Sequence, residues 1–269
     1  MHMPHKFASP LTVTVKYGGN AMGAEVDGAV VAELADLRAA GHAVILVHGG
    51  GPEIDRALNV HGVKTERVDG LRVTGADALD VAEAVLCGNA NKRLVRACLR
   101  AGIPAVGISG EDGALLRARR ALSPSGRDLG FVGEVVSVDA APLRALLDAG
   151  YVPVVAPLAI DASFSHAYNV NADTAAGAIA AALRCDAYVA LTNVERVLRD
   201  PRDSGSAIGS ISVAEAQAFA ASPACESGMK PKMLAAISAV IGGARRAYIC
   251  AAKPGAIAGA LAGDATVIA

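Results

Sequence analysis

The chain has 269 residues, of which 53% are hydrophobic and only 3% aromatic, so alanine, valine, leucine and isoleucine supply most of its apolar content. Parallel strands covered by alanine-rich helices have this usage, and the length allows one large α/β domain or two lobes around a cleft. The formal net charge of −1 comes from 25 basic and 26 acidic residues spread along the chain, which argues against nucleic acid or a membrane surface as a partner.

Cysteine usage and hydropathy predict a reduced, cytoplasmic protein. The five cysteines lack the spacing of a metal site, and their odd number disfavours a closed disulfide set. Residues 1–10 lack the apolar core of a signal peptide. The most apolar stretch, residues 172–183, contains Asp173 and is too short to span a membrane. We therefore expect neither a membrane segment nor a metal site built from protein ligands.

Strands and helices alternate along the chain, which predicts an αβα sandwich of three layers around a mainly parallel, open sheet. The predicted strands are 11–16, 43–47, 104–108, 151–155, 187–191 and 246–250. A hairpin is predicted over 64–73, with its turn at Asp69-Gly70, and antiparallel strands over 114–138. Helices are predicted from about 26 to 41, from 52, across 76–101, over 140–149, from 174, over 212–220 and over 231–241. Residues 199–210 read as a loop.

Two early segments join a β-branched strand to a glycine cluster, and they contain Lys16, Gly18 and Gly19 in the first and His48, Gly49, Gly50, Gly51 and Pro52 in the second. Glycine lets the backbone come close to a ligand, and a helix N-terminus after the turn adds partial positive charge. Each cluster alone is equally well explained as a tight strand-to-helix turn. Together they predict a pair of anion-binding turns, although neither matches the P-loop or dinucleotide fingerprint.

Asn169, Asn171 and Asp173 form a third polar group ahead of a predicted helix. In an extended segment the two asparagine side chains point to the same side and offer amide donors and acceptors. The alternative is that Asn171 or Asp173 caps the helix. A cap accounts for one of the three residues, so we predict that the others serve a ligand.

Two further segments place basic side chains at turns. Lys230 and Lys232 follow Gly228 and Met229 at a helix start, where lysine is electrostatically unfavourable, so one of them is expected to face an anion. Arg72 lies on the predicted hairpin and could make a bidentate contact with a carboxylate. The alternative for these lysines and for Arg72 is a solvated surface side chain.

As an ordered set, these segments resemble the acetylglutamate kinases of the amino acid kinase family. The resemblance runs from about residue 11 to the C-terminus and includes the segments 16–22, 48–52, 70–74, 88–92, 107–110, 130–135 and 169–173, together with Gly228, Met229 and Lys232. It implies ATP-dependent phosphorylation of the side-chain carboxylate of N-acetyl-L-glutamate in arginine biosynthesis. It also implies an amino-acid-binding and dimerising lobe over residues 1–173 and an ATP-binding lobe over 174–269.

The resemblance also assigns roles by position. Lys16 and Lys232 would neutralise the phosphoryl group in flight, and Asp173 would hold both ammonium groups. The substrate would be bound by Gly50, Gly51, Arg72, Asn169 and Asn171. The nucleotide would be bound by Gly18, Gly19, Asn193, Val194, Leu198, Gly228 and Met229, with Mg²⁺ held mainly by phosphate oxygens and water.

Some residues depart from the family pattern. Asn193 stands where the family typically has aspartate, and Glu195-Arg196 replaces a small residue and a glycine. In this resemblance, the arginine-inhibited members carry an extra N-terminal helix that links dimers into hexamers. Because only about ten residues precede the first predicted strand here, we expect a homodimer without strong inhibition by arginine. Two alternatives are a carrier-linked aminoadipate kinase of lysine biosynthesis and a catalytically inactive amino-acid sensor with the same fold.

Overall fold

A computed structural model describes residues 9–18, 28–68, 71–225 and 228–269. The strands in these ranges are β1 Thr12–Tyr17, β2 Ala43–His48, β3 Arg67–Val68, β4 Leu71–Arg72, β5 Ala105–Ser109, β6 Leu116–Leu122, β7 Asp128–Val138, β8 Val152–Ala156, β9 Leu158–Ile160, β10 Ala167–Val170, β11 Ala187–Thr192, β12 Ser210–Ile211, β13 Ala247–Ala251 and β14 Thr266–Ile268. The α-helices are α1 Gly28–Ala39, α2 Gly51–Val60, α3 Ala76–Glu83, α4 Asn91–Arg100, α5 Ala141–Asp148, α6 Ala172–Ala182, α7 Val213–Ala221, α8 Lys230–Ile241 and α9 Ala256–Leu261. A π-helical stretch, Ala84–Ala90, joins α3 to α4.

Eight strands form the main sheet, in the order β12-β14-β13-β11-β1-β2-β8-β5. All neighbouring pairs are parallel except β13 and β14. The central strands β1, β2, β8 and β11 are almost wholly buried, as expected for a parallel sheet covered on both faces. The predicted mainly parallel open sheet is therefore confirmed, whereas its antiparallel edge was not predicted.

Helices cover both faces of this sheet. Buried side chains of α1, α4 and α9 share one core cluster with β1, β2 and β13, among them Val30, Leu94 and Ile257. Buried side chains of α5, α6, α7 and α8 share the other cluster, with Ile179 and Ile237 among them. The predicted three-layer arrangement follows, and alternate residues of each central strand face opposite helical layers.

A smaller closed sheet of β6, β7, β9 and β10 lies beside the main one. β6 and β7 pair antiparallel, as predicted for residues 114–138, while β9 and β10 were not predicted. The strands β3 and β4 pair antiparallel through Val68 and Leu71. This pairing agrees with the predicted hairpin, whose turn at Asp69-Gly70 lies outside the described residues.

Local signals explain several helix boundaries. The side chain of Asn171 accepts hydrogen bonds from the N–H groups of Asp173 and Thr174, so it is the N-cap of α6. Ser212 and Glu215 form a capping box at the start of α7. The capping alternative is therefore correct for Asn171, and α6 begins two residues before the predicted position.

Candidate active site

A cavity of about 220 Å³ opens where β1 and β2 end. It is bounded by the glycine turn after β2, by the hairpin of β3 and β4, by β10 and by the starts of α6 and α8. The lining residues are Lys16, Gly49, Gly50, Gly51, Ile54, Arg67, Leu71, Arg72, Leu86, Val132, Pro157, Asn169, Val170, Asn171, Ala172, Asp173 and Lys232.

One buried carboxylate lies between two lysines in this cavity. Lys16 Nζ lies 2.9 Å from Asp173 Oδ1, and both side chains are more than nine-tenths buried. Lys232 Nζ lies 3.8 Å from the other oxygen, Asp173 Oδ2, and donates to the carbonyl of Gly228 at 3.2 Å. The three predicted catalytic residues, which are distant in sequence, are thus brought together. One negative charge faces two positive charges, so the group carries a local excess of positive charge.

The protonation of Lys16 depends on its partner. Burial lowers the pKa of Lys16, the carboxylate of Asp173 opposes that change, and the nearby charge of Lys232 adds to it. Loss of Asp173 would therefore leave a buried ammonium group without compensation. A second anion in the cavity would favour the charged form of Lys16.

The two glycine turns lie against each other beside these lysines. A Cβ on Gly18 would come within 2.6 Å of the Gly49 nitrogen, so a larger residue at position 18 would push the turns apart. Gly50 precedes α2 and Gly51 begins it. Within the described part of the chain, no hydrogen bond from the N–H groups of Gly50 or Gly51 occurs. These amides at a helix N-terminus are suited to an anion, and Gly19 lies outside the described residues.

Arg72 is buried and forms an ion pair rather than pointing into solvent. Its Nη1 lies 2.5 Å from Oδ1 of Asp55, and its Nη2 lies 3.4 Å from the carbonyl oxygen of Gly51. Burial raises the pKa of Asp55, but the hydrogen bond and charge of Arg72, together with Arg67, outweigh burial and lower it. The guanidinium is consequently held at the cavity wall next to the glycine turn.

Asn169 and Asn171 both line the cavity, on β10 and at the start of α6. The side-chain oxygen of Asn171 is used by its cap. Any ligand contact of Asn171 would therefore involve its remaining hydrogen-bonding capacity. Asn169 lies on the strand that pairs with β7 and β9.

Five of the residues predicted to bind nucleotide are absent from the described lining of this cavity. Asn193, Val194 and Leu198 follow β11, and Gly228 and Met229 precede α8; within the described lining of the cavity none of the five occurs. Gly228 is linked to the cavity through its hydrogen bond with Lys232.

The two residues that depart from the family pattern near Asn193 form ion pairs. Glu195 lies 2.8 Å from Lys253, and Arg196 lies 2.9 Å from Asp264. They join the segment after β11 to the segments that follow β13 and precede β14.

Comparison with known proteins identifies the family to which the chain is related. The model of the amino acid kinase family matches residues 12–251. The acetylglutamate kinase of Symbiobacterium thermophilum is 41% identical over 244 residues, covering 88% of this chain and 83% of that protein. The chain belongs to the amino acid kinase family. The chloroplastic acetylglutamate kinase of Arabidopsis thaliana is 44% identical over 239 residues, covering 88% of this chain and 68% of that protein.

A solved structure of similar fold is the N-acetylglutamate synthase of Neisseria gonorrhoeae complexed with coenzyme A and N-acetyl-glutamate. It superposes with a TM-score of 0.79 at 26% identity, covering 96% of this chain and 59% of that one. The chain thus spans somewhat more than half of that synthase. The predicted family and fold are both confirmed by these matches.

Neither a metal-binding cluster nor a membrane-spanning helix occurs among the described residues. No group of three histidine, cysteine, aspartate or glutamate side chains is arranged there to hold a metal ion. No helix there has the length and apolar character needed to cross a bilayer.

Two contacts at this amino acid kinase site were not predicted. Asp55, the partner of Arg72, is separated from it by 17 residues and shares no motif with it. Leu86 reaches the cavity from the π-helical stretch, and a Cβ on Gly50 would come within 2.9 Å of it. Neither contact has a sequence signal, because each arises only when separate elements pack together.

Proposed function

We propose that this protein transfers the γ-phosphoryl group of ATP to the side-chain carboxylate of N-acetyl-L-glutamate, as in arginine biosynthesis. The observation that carries the proposal is the group of Lys16, Asp173 and Lys232 next to two unpaired backbone amides within the described chain. The named acetylglutamate kinases at about 40% identity support the choice of substrate.

The proposed reaction joins two anions. A carboxylate with a pKa of about 4.3 is ionised at neutral pH, so its oxygen needs no base to attack phosphorus. The bond between that oxygen and the γ-phosphorus forms while the bond to the bridging oxygen of ADP breaks. Repulsion between the reactants is the main barrier that the protein must lower, and fixed positive charge and alignment lower it. Lys16 and Lys232 would supply that charge, with Asp173 holding their ammonium groups in place.

The residues present fit a nucleoside triphosphate with its metal. The N–H groups of Gly50 and Gly51 at the start of α2 are suited to bind a phosphate, and Lys232 connects this wall to the Gly228 turn. Bound Mg²⁺ would neutralise phosphate charge while held mainly by phosphate oxygens and water. We assign nucleotide contacts to Gly18, Gly19, Asn193, Val194, Leu198, Gly228 and Met229.

The opposite wall fits an amino-acid derivative. Arg72 offers a guanidinium to the α-carboxylate, in exchange for or in addition to its contact with Asp55. Asn169 and Asn171 offer amide groups to the remaining polar atoms. We further propose that residues 1–173 bind the amino acid, that residues 174–269 bind ATP, and that the enzyme is a cytoplasmic homodimer.

The test is an assay of ADP release with ATP, Mg²⁺ and free N-acetyl-L-glutamate, with the acyl phosphate trapped as its hydroxamate. Both products should appear in equal amounts. Turnover only with a carrier-linked aminoadipate would favour the lysine-biosynthesis alternative, and ATP binding without turnover would favour a sensor. Light scattering after gel filtration would test the dimer, which a monomeric mass would contradict.

A further inference from the structure

His48 is a fully buried histidine at the end of β2, immediately before the glycine turn. Its Nδ1 lies 3.0 Å from the carbonyl oxygen of Gly49, and its Nε2 lies 3.2 Å from the side-chain Nδ2 of Asn91. Lys16 and His48 lie on opposite faces of the sheet, because Lys16 pairs with Val47 and the neighbouring Tyr17 pairs with His48. His48 therefore lies behind the turn whose front lines the cavity.

The partners of His48 determine its tautomer. A carbonyl oxygen only accepts hydrogen bonds, so Nδ1 carries the proton, and Nε2 then accepts from the amide of Asn91. Burial lowers the pKa of His48 to about 4. Glu53 on α2 favours the charged form, whereas Lys92 and Arg93 on α4 oppose it. The ring is accordingly neutral at physiological pH.

The side chain of Asn91 is itself held by hydrogen bonds. Its Nδ2 also donates to the Val154 carbonyl oxygen at 2.8 Å, on β8, and its Oδ1 accepts from Lys92 at 3.2 Å. A Cβ on Gly107 would collide with this Oδ1, so the glycine leaves room for the amide. Asn91 Nδ2 also lies 3.3 Å from the carbonyl oxygen of Ile108 on β5, so Asn91 links His48 to two neighbouring strands of the sheet, β8 and β5.

Hydrogen bonds hold the backbone on both sides of the Gly49–Gly50 peptide. The Gly49 N–H donates to the Tyr17 carbonyl oxygen at 3.1 Å, and the Gly50 carbonyl oxygen accepts from Glu53 and Ile54 in the first turn of α2. In a trans peptide the C=O of one residue and the N–H of the next point in opposite directions. Because His48 holds the Gly49 carbonyl behind the turn, the Gly50 N–H points forward, toward the cavity.

We propose that His48 and Asn91 are positioning residues: as a neutral Nδ1–H tautomer oriented by Asn91, His48 fixes the Gly49 carbonyl and thereby aims the Gly50 N–H at the transferred phosphoryl group. This inference rests on the proposed function for its ligand. Neither residue touches the substrate in this role. Their contribution is the preorganised direction of one backbone donor, which matters most where charge develops in the transition state.

The first experiment observes the tautomer and the amide directly, without turnover. Nitrogen NMR of the whole protein should show His48 protonated at Nδ1 and uncharged from pH 8 down to about pH 5, consistent with its pKa of about 4. The Gly50 amide resonance should move when a non-hydrolysable ATP analogue is added to the wild type, and should respond much less in H48Q. An Nε2–H tautomer, or an unresponsive Gly50 amide in a protein that does turn over acetylglutamate, would overturn the proposal.

The second experiment compares two variants of the same residue. H48N places an amide where Nδ1 was, so it can still donate to the Gly49 carbonyl, whereas H48Q places it where Nε2 was. We expect kcat to fall about tenfold or more in H48Q, with both KM values within about threefold, and to be largely retained in H48N. Equal loss in the two variants at matched folded fraction would overturn the proposal.

The third experiment uses a matched pair on the neighbouring segment. N91A should reduce kcat as H48Q does, while N89A, which changes an exposed side chain two residues away, should leave it unchanged. A change in thermal stability alone for N91A, with kcat intact, would reduce Asn91 to a structural role and contradict the inference. If the wild type lacks acetylglutamate turnover but its Gly50 amide still responds to the ATP analogue, the proposed substrate fails and the positioning role stands.

Discussion

Lys230 and Lys232 begin the same helix, but their surroundings differ. Lys232 approaches Asp173 and Gly228, whereas Lys230 is exposed. If Lys232 stabilises charge that develops during transfer, K232M should reduce kcat by roughly a hundredfold with a smaller change in the KM for acetylglutamate. K230M is the matched control and should stay within about twofold of the wild type. Similar effects of the two substitutions would show that general helix electrostatics, not a site contact, is responsible.

Arg72 allows a separate test of the substrate wall. R72A removes a buried guanidinium next to Gly51 and leaves Asp55 without its closest partner. We expect the KM for acetylglutamate to rise by at least about tenfold while kcat changes less, because a carboxylate contact of this kind is equally present in ground and transition states. R56A, on the exposed face of α2 next to Asp55, should leave both constants near wild type. A pure kcat defect in R72A would assign the arginine to the transferred phosphoryl group instead.

For individual residues, the sequence indicates which side chains form the site better than it indicates which distant residues they contact. Lys16, Arg72 and Asp173 are recognisable because they adjoin turns or helix starts with an evident physical purpose. Asp55 and Asn91 are not, since their importance comes from contacts across 17 and 43 residues of chain, with Arg72 and His48. A polar residue inside an ordinary helix pattern does not reveal which distant group it will meet.

Secondary-structure elements with a strong period or a clear boundary signal were predictable. The buried strands β1, β2, β8 and β11 and the helices that follow turn residues occur where expected. The short elements β9, β10, α9 and β14 were missed because three to six residues give too little periodicity to identify. The π-helical stretch was missed too, since its extra residue per turn has no simple sequence pattern.

Helix α9 is short, and its stability depends on a distant residue. The Glu33 carboxylate, on α1, accepts hydrogen bonds from the N–H groups of Ala256, Ile257 and Ala258 at 2.7–3.2 Å. E33A should therefore lower the free energy of unfolding by about 1–3 kcal/mol, because it leaves buried donors unsatisfied at a helix start. Urea unfolding would measure this, with D36A on the exposed side of α1 as the control. Equal stability of the two variants would contradict a capping role for Glu33.

At the scale of the whole molecule, alternation of strands and helices was enough to predict the layered sandwich. Strand order was not predictable, because the sequence does not say that β1 lies between β2 and β11 at the centre. Because β1 lies at the centre of the sheet, Lys16 near its end comes close to Asp173 and Lys232, which lie much later in the chain. The candidate site thus follows from topology, whereas its chemical types follow from sequence.

The pH dependence of global stability should contain two opposing contributions. Burial lowers the pKa of His48 to about 4, so the unfolded chain binds more protons at this site between about pH 4 and 6.5, and stability rises with pH there. Burial, followed by the charges of Glu83 and Asp112, raises the pKa of Glu111 to about 7. The folded state then binds more protons at Glu111 between about pH 4.5 and 7, and stability falls as pH rises through that range.

The substitution E111Q removes the contribution of Glu111 to the pH dependence. The variant should therefore not lose the stability that the wild type loses at this site as the pH rises. Its unfolding free energy relative to that of the wild type should increase from pH 5 to pH 8. E83Q should produce a smaller change of the same sign, since the charge of Glu83 is one of the causes of the raised pKa of Glu111. Urea unfolding at closely spaced pH values would measure both differences. A constant offset between E111Q and wild type across this range would show that Glu111 titrates alike in the folded and unfolded chains, and would remove it from the pH balance.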